Sequence, residues 1–440
     1  MTKADIVIIG AGAAGLMAAK GAAETLGGKG KVIVLEKMPR PARKIMITGK
    51  GRCNFTNLKD WNEFSTHLHP KPGFLKPAFH NLTAQKLIDM MQEMGMESTV
   101  ERGDRVFPTS HLASGVVDTL VRAAEHAGAK IVCSKETESL CRKEDGFEIR
   151  CTDGGLYSCR KVVICTGGLS YPKTGSSGDG YAWAKGFGHT IKPLLPSLTA
   201  IVPQGYKDMT QAVKPELKGH IDRSTPLSEF GHSLQGIQLK NIGLSVEIDG
   251  NIAQSEFGDI DFTDGGLEGP VGFKISRKCV CAIANGSKVR LSLDLKPAVE
   301  LQQLYNRIIG LWENISNDRK SAKYPYKDRL KLLISKLMPT QLCTAFMKMH
   351  PNIDHRSLAK ALKDWKMQAE GYVGYERCVV TSGGVCTEEI TPKTLESRII
   401  PGLYMAGEIL DIDADTGGYN LHTAFSTGLL AGINAAKSLA

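Results

Sequence analysis

Residues 5–36 form a strand, turn, helix, strand pattern that very few arrangements satisfy. Ile6-Val7-Ile8-Ile9 is an unbroken β-branched run of the kind covered on both faces of a parallel sheet. Gly10-Ala11-Gly12-Ala13-Ala14-Gly15 follows at once, an alanine-rich helix is expected over 16–26, and 31–35 reads as a second strand ending at Glu36. The three glycines play separate roles. Gly10 allows the tight turn, Gly12 admits a diphosphate against the backbone, and Gly15 lets helix pack on strand. Free N–H groups and the positive end of the helix dipole then face that diphosphate, with Ala13 and Ala14 supplying amides. Glu36, twenty-one residues after Gly15, is placed for a ribose hydroxyl, with Lys37 beside it. The unit binds a dinucleotide, and this motif alone does not separate FAD from NAD.

Three further segments favour FAD. The chain after Glu36 runs into a glycine-punctuated cationic loop at 43–57, suited to a ligand longer than its adenosine half. Its candidates are Arg43, Lys44, Thr48, Gly49, Arg52, Cys53 and Asn54. Residues 138–143, 147–151 and 156–159 read as a meander with an Asp153-Gly154-Gly155 turn, followed by a strand at 162–165 and the turn Thr166-Gly167-Gly168. At the far end a short strand, Gly407-Glu408, an acidic loop reaching Asp415, and Thr416-Gly417-Gly418-Tyr419-Asn420 open a helix expected to run through Ala435. Two glycines at a helix start can point amides at the flavin edge where negative charge gathers on reduction.

Taken together, G-x-G-x-x-G, G-K-G-R-C-N-x-T-N, G-G-x-S-Y-P-x-T-G-S-x-G-D-G and A-G-E-x-x-D…T-G-G-Y-N resemble the bacterial NAD(P)/FAD-dependent oxidoreductase family that includes aminoacetone oxidase and the bile-acid 3-dehydro reductases. The similarity covers most of the chain. It implies an α/β, glutathione-reductase-like Rossmann fold for FAD, split by an inserted β-rich piece and a helical piece. By that resemblance Gly10, Gly12, Gly15, Glu36, Lys44, Asn54, Gly407, Glu408, Gly417, Gly418 and Asn420 fall on FAD-contacting positions, and Thr137 offers backbone to the adenine. One stretch departs from the family pattern F-T-H-x-G-L-S-G-P, reading Phe262-Thr263-Asp264-Gly265-Gly266-Leu267-Glu268-Gly269-Pro270. Substrate preference does not carry over across those two acidic replacements.

The expected organisation is an FAD domain from 1–190 and 373–440, with 191–372 inserted and its helical part at about 298–370. Strands are expected at 199–202, 244–248 and 252–255, and helices at 300–313, 326–337 and 357–366. A chain of 440 residues exceeds what one core serves, in keeping with several units.

Composition excludes other classes. Eleven irregularly spaced cysteines point to reduced thiols in a cytoplasm, with Cys279 and Cys281 alternating across a strand. The histidines, His67, His69, His189, His350, His355 and His422, show no metal spacing, and no metal is expected. No apolar run reaches the ~18 residues of a membrane span. The net charge of +9 is spread along the chain, and the cations at 319–336 read as the solvated face of an amphipathic helix, so nucleic acid is not the expected partner.

A flavin performs hydride transfer with its own ring, so no obligatory catalytic side chain is required. Cys53, Asn54, Tyr171 and His422 are the flavin-proximal candidates. There is no second strand-borne G-x-G-x-x-G, so NAD(P)H is expected to dock transiently, and no dithiol for disulfide exchange. The first reading is an oxidoreductase for a small organic molecule. The alternatives are an RNA-associated or RNA-modifying flavoprotein and a flavin redox partner without turnover.

Overall fold

The buried run at the N-terminus forms strand Thr2–Ile9 (β1), and Gly12 then caps helix Ala13–Leu26 (α1) in extended conformation. The helix stops at Gly27, whose left-handed backbone returns its N–H to the Ala23 carbonyl at 3.1 Å. Strand Val32–Leu35 (β2) lies parallel to β1, pairing Ile6 with Val32 and Ile9 with Leu35. The sheet continues outward through Lys130–Val132 (β3). On the other side it runs through a meander of Thr137–Lys143 (β4), Gly146–Cys151 (β5) and Leu156–Ile164 (β6), in the order β3-β2-β1-β6-β5-β4.

The strands expected at 156–159 and 162–165 are one strand with two neighbours on the same edge. Residues 156–159 pair antiparallel with β5, and Val162–Ile164 pair parallel with Leu403–Met405 (β7). All along its opposite edge β6 lies parallel to β1.

Helix Tyr419–Lys437 (α2) lies parallel against α1, and its sequence explains the closeness. A Cβ added at Gly428 would sit 2.1 Å from the Ala14 carbonyl oxygen, and one at Gly432 would sit 2.0 Å from that of Ala18. Only glycine facing alanine lets the two backbones meet.

The computed structural model describes residues 1–212 and 217–439. They form two compact units: Met1–Leu195 with Val379–Ala440, and Pro196–Cys378. The second unit holds a sheet in which Ile201–Pro203, Leu267–Glu268, Asn251–Phe262, Gln238–Ile248, Val289–Asp294 and Trp365–Val373 follow in order. Ile201–Pro203 also pairs with Trp365–Val373, so the six close on themselves like a barrel. The Asp249-Gly250 turn joins the two longest strands.

Cys279 and Cys281 lie on helix Gly269–Ala284, not on a strand. Val271, Ile275, Cys279 and Ile283 recur every fourth residue on its buried face while Cys281 is exposed. The helix expected at 357–366 spans Leu358–Lys363 only, because Trp365, Met367 and Ala369 alternate inward as the last barrel strand. The other two run Leu301–Asn317 and Tyr326–Ser335. A fourth helix, Thr340–Met349, lay hidden in an unbroken polar and apolar mixture.

Candidate functional site

Gly12 and its neighbours have the three geometries that their roles require. Gly10 has φ +98°, and a Cβ there would strike the Cys165 carbonyl at 2.5 Å; at Gly15 it would lie 1.8 Å from the Gly10 carbonyl. At Gly12 it would meet nothing within 4 Å. The space over the first turn of α1 is therefore open on the side where four amides lack helical partners.

Glu36 is buried at the end of β2. Its carboxylate accepts from the Ala11 and Met38 amides, both at 2.8 Å, which ties the acid to the glycine turn itself. Burial pushes its carboxyl up, against those two hydrogen bonds and the charges of Lys37 and Arg43. Lys37 is held by Asp179 at 2.6 Å and by Ser177. Thr137 and Thr166 are each left with a buried hydroxyl that finds no partner among the described residues. Gly167 follows with φ +73°.

The second cluster joins segments hundreds of residues apart. Lys44 pairs with Glu408 at 2.5 Å, and both meet the Ser170 hydroxyl, which donates to Glu408 at 2.7 Å. The Thr381 amide donates to the same carboxylate at 2.8 Å, while its hydroxyl accepts from the Leu169 amide. Gly168 is required here, since a Cβ would fall 2.5 Å from that hydroxyl. Gly407 likewise turns at φ +80° against Ala14. Sequence reasoning placed Lys44, Gly168 and Glu408 but passed over Ser170, which lies inside the string G-G-x-S-Y-P-x-T-G-S-x-G-D-G, and Thr381, which lies in none of the motifs.

Around the start of α2, Gly417 and Gly418 have φ +131° and +95°, and a Cβ on Gly418 would fall 2.4 Å from the Thr56 carbonyl and 2.9 Å from Asn54 Oδ1. That Asn54 oxygen is buried and unpartnered. Gly428 touches the first turn of α1, and nine residues of helix separate it from Tyr419. The start of α2 thus stands roughly 14 Å along its axis from that contact. An elongated ligand gripped at Gly12 and reaching Asn54 and Gly418 fits an open first turn, a glycine cradle and an orphaned acceptor.

Several candidates have partners within the protein. The Asn420 amide exchanges two hydrogen bonds with the Ala414 backbone, at 2.9 and 2.7 Å, and donates a third to Asp415, so it clamps the acidic loop. Arg52 pairs with Glu101 and lies over the Phe107 ring. Cys53 is fully buried, and burial pushes its thiol up to about 11, partly offset by the Thr48 hydroxyl, so it is no thiolate. Gly49, in the loop just before it, turns at φ +56°.

His422 hydrogen-bonds Thr56 at 2.8 Å among Phe64 and Phe79, and burial lowers its imidazole to about 4; it is neutral and structural in setting. Asp415 accepts from His67 at 2.9 Å and His69 at 3.3 Å. Burial would raise its carboxyl, but the two imidazoles outweigh it and hold it at about 2. Tyr419 stacks on His67. Tyr171 opens the turn Pro172–Thr174 at φ +52°, and Thr416 is half-buried before the glycine pair. Among the described residues no group of acids, histidines or cysteines could hold a metal ion, and no helix is long and apolar enough to cross a membrane.

In the second unit, the two acids that depart from the family pattern share one cation. Arg377 binds Glu268 through two nitrogens, at 2.5 and 3.0 Å, and Asp264 through a third, at 2.5 Å.

This fold, with a Rossmann turn at the start of α1 and a glycine-built start to α2, defines an FAD-dependent oxidoreductase. Residues 4–434 match the family described as "HI0933-like protein Rossmann domain", and the chain belongs to that family. It is 31% identical over 429 residues to the ribosomal RNA dihydrouridine synthase of Escherichia coli (strain K12), covering 97% of this chain and 96% of that one. It is 29% identical over 442 residues to the 3-dehydro-bile acid delta(4,6)-reductase of Clostridium scindens, covering 98% and 99%. A ribosomal RNA dihydrouridine synthase of Haemophilus influenzae is 28% identical over 444 residues, covering 98% of each chain.

Proposed function

We propose that this chain is a reductase that saturates a carbon–carbon double bond conjugated to a carbonyl, drawing electrons from NAD(P)H that docks transiently. Relatives of nearly equal identity are named for two very different acceptors, a 3-dehydro bile acid and uridine in RNA. Both acceptors present the same reactive element. A ring alkene conjugated to a 3-oxo group and the C5–C6 bond of uracil conjugated to its C4 carbonyl each take a hydride at one carbon and a proton at the other. Bound FAD would supply the hydride chemistry.

The observation that carries this reading is a site furnished for a cofactor, with no exposed thiol in its cationic loop. The first turn of α1 would hold the diphosphate with free amides, Glu36 a ribose hydroxyl, and the Lys44–Glu408–Ser170 cluster the hydroxyl-bearing linker. Asn54 and the amides at the start of α2 would meet the pyrimidine edge. Cys53, the one thiol in that loop, is protonated and buried, which speaks against covalent catalysis.

The experiment is anaerobic. Purified protein is reduced with NADPH or NADH and then mixed with a 3-oxo-4,6-diene bile acid, a uridine-containing RNA or an isolated alkene. Reoxidation by either conjugated acceptor, with a gain of two hydrogens in the product, is expected. Protein that carries no flavin, or that reoxidises only with oxygen, would sink the proposal.

A second, narrower reading makes the acceptor an RNA-borne uridine. It is favoured by the two synthases among the relatives and by an excess of nine cations.

A further inference from the structure

We propose that the helical part of the second unit is an RNA-docking surface, with base-stacking aromatics set among phosphate-binding lysines. The inference deepens the narrower reading above and rests on it. Residues 318–336 carry seven cations against two carboxylates, more than half of the net charge of +9 concentrated on nineteen residues. The expectation of a plain solvated face accounts for the charge but not for what the fold places among it.

Helices Leu301–Asn317 and Tyr326–Ser335 and the loop at 355 bring four side chains together. Trp312 stacks flat on His355, with centroids 4.6 Å apart and planes 4° from parallel. Tyr326 meets Trp312 edge-on at 5.1 Å and reaches His355 with its hydroxyl. Arg329 lies over the Trp312 ring at 5.3 Å. Tyr326 is 43% exposed and Tyr324, two residues before it, is 51% exposed.

Lys327 and Lys331 form one exposed ridge of the same helix, and Lys320 and Lys323 stand on the turn leading into it, all four exposed. None of the four makes an ion pair among the described residues; the two acids are also exposed, and Asp318 accepts from the Ser321 amide and hydroxyl. Of the aliphatic residues of the helix, Leu330, Leu333 and Ile334 are buried and Leu332 is half-buried. The surface therefore offers cations and aromatic faces without exposed aliphatics, which suits an RNA strand with accessible bases better than a membrane.

The assay is fluorescence anisotropy of a labelled single-stranded RNA and a labelled stem-loop, read across a salt series on the flavin-loaded full chain. Replacing Lys320, Lys323, Lys327 and Lys331 by alanine should weaken binding at least tenfold. It should also flatten the slope of log K against log salt by about 3, at roughly 0.7 per lost phosphate contact. Tyr326→Ala should weaken binding roughly tenfold and Tyr326→Phe should restore it, because the stacking face survives. Unchanged flavin content and melting temperature identify these as surface effects.

RNA bound equally by wild type and the lysine variant, or polyglutamate bound as tightly as RNA, overturns the surface. Wild type that ignores RNA yet reduces the bile acid overturns it as well while leaving the reductase intact. RNA binding lost with the lysines in a chain that reduces no acceptor keeps the surface and removes the reductase.

Discussion

Replacing Gly12 by valine tests the diphosphate grip in isolation from the fold. The backbone at Gly12 has φ −79°, ordinary for any residue, and an added Cβ meets no protein atom within 4 Å. The loss to the apoprotein is therefore confined to a poorer helix cap, about 1 kcal/mol. The three new carbons fill the space over the first turn of α1 and hold a phosphate away from its amides. One or two charge-assisted hydrogen bonds are lost, together about 3 kcal/mol, or on the order of a hundredfold in Kd. Apoprotein titrated with FAD should show that weakening, and the purified variant should carry little flavin, while its melting temperature without cofactor stays near wild type. Gly15→Ala is the contrast, since its Cβ would lie 1.8 Å from the Gly10 carbonyl and should collapse the turn. An unchanged Kd for FAD in Gly12→Val would refute the placement of the diphosphate.

Three further outcomes follow from the same geometry. Lys44→Met should lower apoprotein stability by about 2 kcal/mol in denaturant titration by stranding the half-buried Glu408, and adding Glu408→Gln should recover part of it; strictly additive losses would count against the pairing. Asp415 is held below its unfolded pKa, so its contribution of about 2 kcal/mol is complete above pH ~4 and drains away as pH falls toward about 2. Denaturation across that window should be flatter in Asp415→Asn than in wild type. Gly428→Ala should cost about 3 kcal/mol in thermal unfolding by driving α2 off α1, while Gly310→Ala, with nothing within 4 Å, should stabilise its helix by up to about 1 kcal/mol.

The N-terminal strand, turn and helix were legible because each of their signals is local: a β-branched run, three spaced glycines and an acid at the strand end. The start of α2 was legible for the same reason. Ser170 and Thr381 were not, since 211 residues separate them and only the return of strand Val380–Val385 brings them to Glu408. The protein partners of Asn420 and Arg52 were not legible because an amide or a guanidinium announces capacity without a partner. Their partners, the Ala414 backbone and Glu101, are set by the loop's path. The helix carrying Cys279 was read as strand because the two cysteines were weighed without the fourth-residue recurrence of Val271, Ile275, Cys279 and Ile283, which is the helical signal.

The pairing of Lys44 with Glu408 has a consequence for how the protein is made. Those residues are 364 positions apart, and α2, which packs on α1 through Gly428 and Gly432, is made long after it. Until then Ala14 and Ala18 face solvent, and a nascent chain has the phosphate turn without its opposite wall. Cofactor capture should thus wait on the synthesis of α2, and a chain cut before Tyr419 should bind FAD far more weakly than one that carries this helix.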